Sequence, residues 1–177
     1  MRFIFADTDH QPVYYDTFLD PFFPESGMHI CVAVTDKGLA SVRRVRPSEV
    51  SRSWKLSPKH AGGFVSMLKD FLTGENVRWD EVTVVLNGTD LQREVWQQLI
   101  QIPYGETISY SEMARRVDHP NAVRAVGSAC GANPIPLIIP CHRVIASDGS
   151  FGGFAWGLPF KERLLAMELS RAEALAA

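Results

Sequence analysis

Asn133-Pro134-Ile135-Pro136-Leu137-Ile138-Ile139-Pro140-Cys141-His142-Arg143-Val144-Ile145 is an apolar, proline-studded run that stops at a cysteine, a histidine and an arginine. Three prolines lie within seven residues (Pro134, Pro136, Pro140). Each removes a ladder donor, so the run is not a central strand and reads as a rigid extended segment. Its end presents Cys141 beside two basic side chains. Cationic neighbours lower a thiol's pKa, and the thiolate is the nucleophile. Taken singly, an intracellular cysteine is more often a small buried packing residue, and a histidine a structural one. The combination of rigid arm, Cys141, His142 and Arg143 favours a nucleophile. Neighbouring side chains often diverge, so His142 is expected to act on the thiol through a water.

Upstream, the pattern is helical. Thr89 with Gln92 forms a capping-box signature, and Leu91, Val95, Trp96, Leu99 and Ile102 share one apolar face. Ser109 with Glu112 is a second box, opening a short helix through Val117. Asp118 to Asn121 is a turn, and a third helix runs from about Ala122 to Ala132, rich in Ala, Gly and Ser. Two short helices joined by a tight turn make a helix-turn-helix candidate. A helix of small residues suits close approach to a narrow groove and equally suits tight helix packing. Downstream, Asp148 to Gly157 carries four glycines and three aromatics, as a mobile or closely approaching loop would. Pro159 then starts a last helix with Leu164, Leu165 and Leu169 expected inward.

The first half mixes strands with one helix. Val13–Leu19 reads as a strand, and 28–35 and 39–45 read as a hairpin around Asp36-Lys37-Gly38. Ser57-Pro58 opens a helix that Gly74 stops, and 82–86 is a short buried strand. With 177 residues and 46% apolar content, the chain has room for one domain or two small ones, each with a core. The boundary expected is an α/β domain over 1–86 and a mostly helical domain over 87–177. Lys and Arg number 10 against 11 Asp and Glu up to Leu86, and 8 against 9 after it. Neither half is a polybasic binder, so a nucleic-acid partner would be held by local geometry. Three cysteines without CxxC exclude a disulfide scaffold and favour a reducing compartment. There is no apolar run of about 18 residues, so no membrane span is expected. An acid as early as Asp7 argues against a signal peptide, leaving the cytoplasm as the expected address.

The 133–145 segment, with PCHRV at its core, resembles the active-site segment of the 6-O-alkylguanine-DNA alkyltransferases, the methylated-DNA–protein-cysteine methyltransferases. Arg124-Ala125-Val126-Gly127 upstream and Lys161-Glu162, Leu164-Leu165-Ala166 and Glu168 downstream fit the family in order and spacing. The resemblance covers about residues 87–169. It implies a winged-helix-like DNA-binding catalytic domain that docks duplex DNA by a helix in the minor groove. It also implies single-turnover repair without cofactor: the damaged base is rotated out and Cys141 takes the alkyl group from 6-O-alkylguanine, with 4-O-methylthymine as a further substrate.

Roles follow from that resemblance residue by residue. Cys141 is the nucleophile, His142 deprotonates it through a water, Glu168 orients that histidine, and Asn133 braces the turn. Tyr110 donates to the base and crowds the phosphate, while Arg124 enters the vacated stack. Ala125, Gly127 and Arg143 complete the DNA contacts. Carbonyls of Cys141 and Val144 accept from the guanine amine, and the Ala155 N–H donates to the leaving oxygen. Phe154 stands where many members have tyrosine, so stacking persists without a hydroxyl. Trp156 stands where many have glycine, which implies a tighter pocket that rejects a benzyl group; the alternative is a Trp that turns away and packs. Some members carry an N-terminal structural zinc, but Cys31, His10, His29 and His60 supply one cysteine only, so no metal is expected. Cys130 reads as a packing residue. A monomer is expected. The rivals are a damage sensor lacking the cysteine, a helix-turn-helix regulator, and a cysteine hydrolase needing a preformed oxyanion hole.

Overall fold

The computed structural model describes residues 1–6, 11–75 and 77–176. The chain divides into two compact units, 1–87 and 88–177.

In the first unit, β1 (Arg2–Phe5), β2 (Tyr14–Leu19), β3 (His29–Thr35), β4 (Gly38–Val45), β5 (Lys55–Leu56) and β6 (Thr83–Leu86) form one mixed sheet in the order β1-β6-β4-β3-β2-β5. β2, β3 and β4 run antiparallel, whereas β1 and β4 pair β6 in parallel. The expected hairpin is β3–β4, with a register shift at Ala33/Val34. β3 is buried from Ile30 through Thr35, as a central strand covered on both faces must be. α1 (Pro58–Leu72) starts with Pro at its first turn and lays Ala61, Val65, Leu68 and Leu72 into the core. Of the histidines weighed for zinc, His29 is hydrogen-bonded to Thr17 at 3.3 Å. His60 stacks on Tyr14, ring centroids 4.0 Å apart, and is hydrogen-bonded to Ser57. His10 lies outside the described residues.

The second unit holds α2 (Asp90–Leu99), β7 (Ile108–Ser109), α3 (Tyr110–Arg116), α4 (Val123–Gly131), β8 (Val144–Ile145) and α5 (Leu158–Ala176). The first capping box is complete: Thr89 Oγ1 accepts from the Gln92 N–H, and the Thr89 N–H donates to Gln92 Oε1. The second is half a box. Ser109 Oγ accepts from the Glu112 N–H, but the Glu112 carboxylate turns to Arg115 (2.7 Å) and Arg116 (3.2 Å), whose charged guanidinium groups attract it more strongly than a single N–H. Trp96 Nε1 donates to the Ala129 carbonyl at 3.0 Å, tying α2 to α4 in the core. β7 and β8 pair in parallel.

Two expectations need correction here. The segment 135–139 is not an extended arm. It is a tight turn, closed by the Ile139 N–H donating to the Ile135 carbonyl at 3.0 Å, with Leu137 at a φ of 76°. Prolines forbid the strand but leave the choice between extended chain and turn open, and burial of Ile135, Leu137, Ile138 and Ile139 favours the turn. On α5, Leu169 is exposed; the inward face is Phe160, Lys161, Leu164 and Glu168. No helix among the described residues is long and apolar enough to cross a membrane.

Candidate active site

Within the second unit a cavity of about 730 Å3 opens between α3, α4, the turn after α4 and the loop before α5. Tyr110 contributes from α3, Arg124, Gly127 and Cys130 from α4, and Asn133 and Pro136 from the turn. Gly153, Phe154 and Ala155 form the loop wall, and Cys141 completes the lining. Cys141 sits in a 3-10 turn, Cys141–Arg143, and is buried.

Asn133 fixes the turn with both ends of its amide. Its Nδ2 donates to the Ile139 carbonyl at 2.7 Å, and its Oδ1 accepts from the Ile135 N–H at 3.0 Å. Behind the cysteine lies a buried charge network. His142 Nε2 is 2.8 Å from Glu168 Oε1, and Arg143 reaches the same carboxylate through Nε (2.8 Å) and Nη2 (2.9 Å). Arg143 Nη1 donates to the Ile102 carbonyl, and the Gly105 N–H donates to Glu168 Oε2.

Burial alone would raise the Glu168 carboxyl, but the His142 and Arg143 hydrogen bonds and charges outweigh it and bring it down to about 2. Burial dominates at His142 and lowers its pKa against the opposing pull of Glu168. At neutral pH the pair is therefore carboxylate and neutral imidazole. Since Glu168 is an acceptor only, the imidazole proton sits on Nε2. Nδ1 keeps its lone pair, is buried, and has no hydrogen-bond partner among the described residues. The Cys141 thiol is pushed up by burial, opposed by a hydrogen bond with Asn133 and by the charge of Lys161. The resting group is thus the thiol, and Arg143 does not activate it directly because its fork is held by Glu168.

A model of the family "6-O-methylguanine DNA methyltransferase, DNA binding domain" matches residues 90–170. The methylated-DNA–protein-cysteine methyltransferase of Mycobacterium bovis is 40% identical over 164 residues, covering 92% of this chain and 96% of that protein. That of Methanosarcina barkeri is 39% identical over 159 residues, covering 88% and 97%. The crystal structure of Mycobacterium tuberculosis OGT in complex with DNA superposes with a TM-score of 0.77 at 39% identity, covering 89% of this chain and 94% of that one. The chain belongs to the methylated-DNA–protein-cysteine methyltransferase family. Its fold class and its work, direct-reversal DNA repair, are those of the family.

Of the residues the family resemblance singles out, the cavity brings together Cys141, Asn133, Tyr110, Arg124, Gly127, Phe154 and Ala155, with His142 and Glu168 behind Cys141. Arg124 and Ala125 lie on α4, Ala125 on its exposed side. Three assignments are corrected. Arg143 is no DNA contact: it is buried and its guanidinium is taken up by Glu168 and Ile102. Val144 is buried off the cavity wall, and its carbonyl accepts from Lys161 Nζ at 2.7 Å. Trp156 does not line the pocket. The Gly157 N–H donates to the Phe154 carbonyl, so 154–157 is a turn rather than an extended loop. The indole swings onto Phe160, edge to face at 5.0 Å.

The loop wall is built by contact. Gly152 has a φ of 63°, and a Cβ there would meet Tyr110 Cε2 at 2.8 Å. The Tyr110 hydroxyl points to the Gly153 carbonyl at 3.5 Å and keeps its proton, its pKa raised by burial. The sequence places Lys161 in the family pattern without pointing to a role for it. Its signal is a charge on the inward period of α5: Lys161, Leu164 and Glu168 fall at i, i+3 and i+7, on one buried stripe.

Proposed function

We propose that Cys141 is the alkyl acceptor, and that the chain uses it once. The observation that carries this reading is the buried Glu168–His142 hydrogen bond of 2.8 Å behind a cysteine that lines a cavity. The thiol proton passes through a water to His142 Nδ1, and Glu168 steadies the imidazolium that forms. The sulfur attacks the alkyl carbon, a C–S bond forms and the C–O bond breaks. The electron pair leaves on the guanine oxygen, with the Ala155 N–H and the Tyr110 hydroxyl as donors to the departing base, which regains a proton to become guanine. The product is a thioether, which none of these groups cleaves, so turnover stops at one.

The partner is duplex DNA carrying 6-O-alkylguanine, and by the same chemistry 4-O-methylthymine. The reacting atom is inaccessible in the stack, so the base is flipped into the cavity. Arg124, Ala125 and Ser128 belong to a mostly small-residue face of α4 that suits the minor groove, and Arg124 would occupy the gap the base leaves. One chain supplies every group named, so a monomer suffices. Three free thiols fit a reducing, cytoplasmic setting. The test is intact mass and peptide mapping after mixing with a methylguanine-bearing duplex. One methyl on Cys141 is expected. Repeated turnover with unmodified protein would point to a hydrolase, and a methyl elsewhere would remove Cys141 from the reaction.

A further inference from the structure

Lys161 is fully buried, and among the described residues no carboxylate pairs with it. Lysine is almost never buried this way without a partner. Its ammonium has three donors, and three carbonyls meet them: Val144 at 2.7 Å, Phe151 in a short contact, and Gly153 at 3.4 Å. These carbonyls belong to two segments. Val144 follows the Cys141–Arg143 turn directly, and Phe151 to Gly153 leads into the cavity wall. The same Gly153 carbonyl faces the Tyr110 hydroxyl. Methionine would fill the space without desolvating a charge, so packing alone does not require a lysine.

We propose that Lys161 is a positioning residue for alkyl transfer, clamping the loop wall to the nucleophile's segment while its positive charge favours the Cys141 thiolate. The inference rests on Cys141 being the acceptor. The titratable groups that face Lys161 are Cys141 from the 3-10 turn, His142 beside it, Cys130 from α4, and Tyr110 from α3, whose ring centroid is 5.9 Å from Nζ. Burial brings the Lys161 ammonium down to about 8, so it remains mostly charged at neutral pH and loses its charge as pH rises through that value. The sign follows: a cation near a thiol lowers the pH at which the thiolate forms, and its removal raises it.

The test compares Lys161→Met and Lys161→Arg with wild type, using methylguanine-bearing duplex and free methylguanine base across pH. In Lys161→Met the rate of Cys141 methylation should fall about tenfold at pH 6–7, where the lysine is charged, and approach the wild-type rate above about pH 9, where it is not. In Lys161→Arg that convergence should be absent, because the charge stays at every pH. Its rate should fall about tenfold at every pH, because a planar fork does not match three converging carbonyls. A ratio of wild-type to Lys161→Met rates that does not change with pH would overturn the electrostatic role, and an unchanged rate in Lys161→Arg would overturn the clamp. A measurement that needs no Lys161 variant is the titration of the lysine side-chain nitrogens by NMR in wild type. Lys161 should titrate near 8, below the ordinary lysine value of 10.5; a Lys161 that titrates at the ordinary value would be solvated and not clamped, which would overturn the proposal. Peptide mapping keeps the two readings apart. A methyl found off Cys141 defeats the acceptor assignment, whereas methylated Cys141 with a rate ratio that does not change with pH defeats only Lys161.

Discussion

In the unit of residues 1–87, Asp20 is a fully buried carboxylate whose partners are fixed: the N–H groups of Phe22 and Phe23 on Oδ1 and Arg44 at 2.6 Å on Oδ2. In the unit of residues 88–177, Glu168 is as deeply buried and as fully bonded, yet one of its partners is a histidine with a nitrogen to spare. Both are carboxylate–arginine pairs whose carboxylate is shielded from water. The first ends a strand and holds a turn. The second holds an imidazole in one tautomer behind a thiol that lines a cavity. A buried ion pair is thus weak testimony of chemistry; the open lone pair next to a reactive side chain is what separates the two.

The largest separation between the regions should come from paired substitutions. Cys141→Ala should abolish methyl transfer while duplex affinity stays within a few-fold. Asp20→Ala should leave the rate per folded molecule unchanged and lower stability, toward the small end of about 3–5 kcal/mol since Arg44 keeps some access to water. Single-turnover assays with denaturant titrations read both. A slowed reaction in folded Asp20→Ala would erase the distinction.

Glu168→Gln should do both kinds of damage. It leaves the Arg143 guanidinium buried without its counter-charge, costing about 3–5 kcal/mol, and slows transfer about 10²-fold. Acid should have a graded version of the same effect. The Glu168 carboxyl is held at about 2, below its ordinary 4.5. The unfolded chain therefore takes up that proton first as pH falls. Stability present above about pH 5 is lost progressively toward pH 2. His142, kept neutral by burial, adds a loss that begins below its ordinary 6.5. Urea midpoints from pH 7 to 3 should fall steeply in wild type and less steeply in Glu168→Gln; parallel curves would mean Glu168 is not the group responsible.

The smallest effect should be at Trp156. Because the indole packs on Phe160 and not into the cavity, Trp156→Gly should change methyl transfer and benzylguanine inactivation by less than about threefold, given that a difference under 1 kcal/mol is all that lost packing outside the pocket transmits. A large gain in benzylguanine sensitivity would return Trp156 to the pocket wall.

Local signals carried much of this molecule. The Thr89–Gln92 box, the turn at Asp36-Lys37-Gly38 and the Cys141-His142-Arg143 cluster are each written in adjacent residues, and each lies where the sequence puts it. What stayed hidden depends on distant partners. β1 is made by pairing with β6, some 80 residues on, and β5 by two residues beside β2, so neither has a pattern of its own. The 135–139 turn and the 154–157 turn are chosen by tertiary burial, and both misdirected expectations, about an extended arm and about Trp156. A role for Lys161 escaped because inward faces are counted in apolar residues, whereas this one carries its charges inward and leaves Leu169 in water.

The central claim is that the buried network makes His142 Nδ1 the base of the site, and nitrogen NMR of the histidine-labelled protein at neutral pH tests it most directly. Among the five histidines, His142 should be neutral, with its proton on Nε2 and a bare Nδ1. A proton on Nδ1, or an imidazolium that persists at neutral pH, would contradict the account.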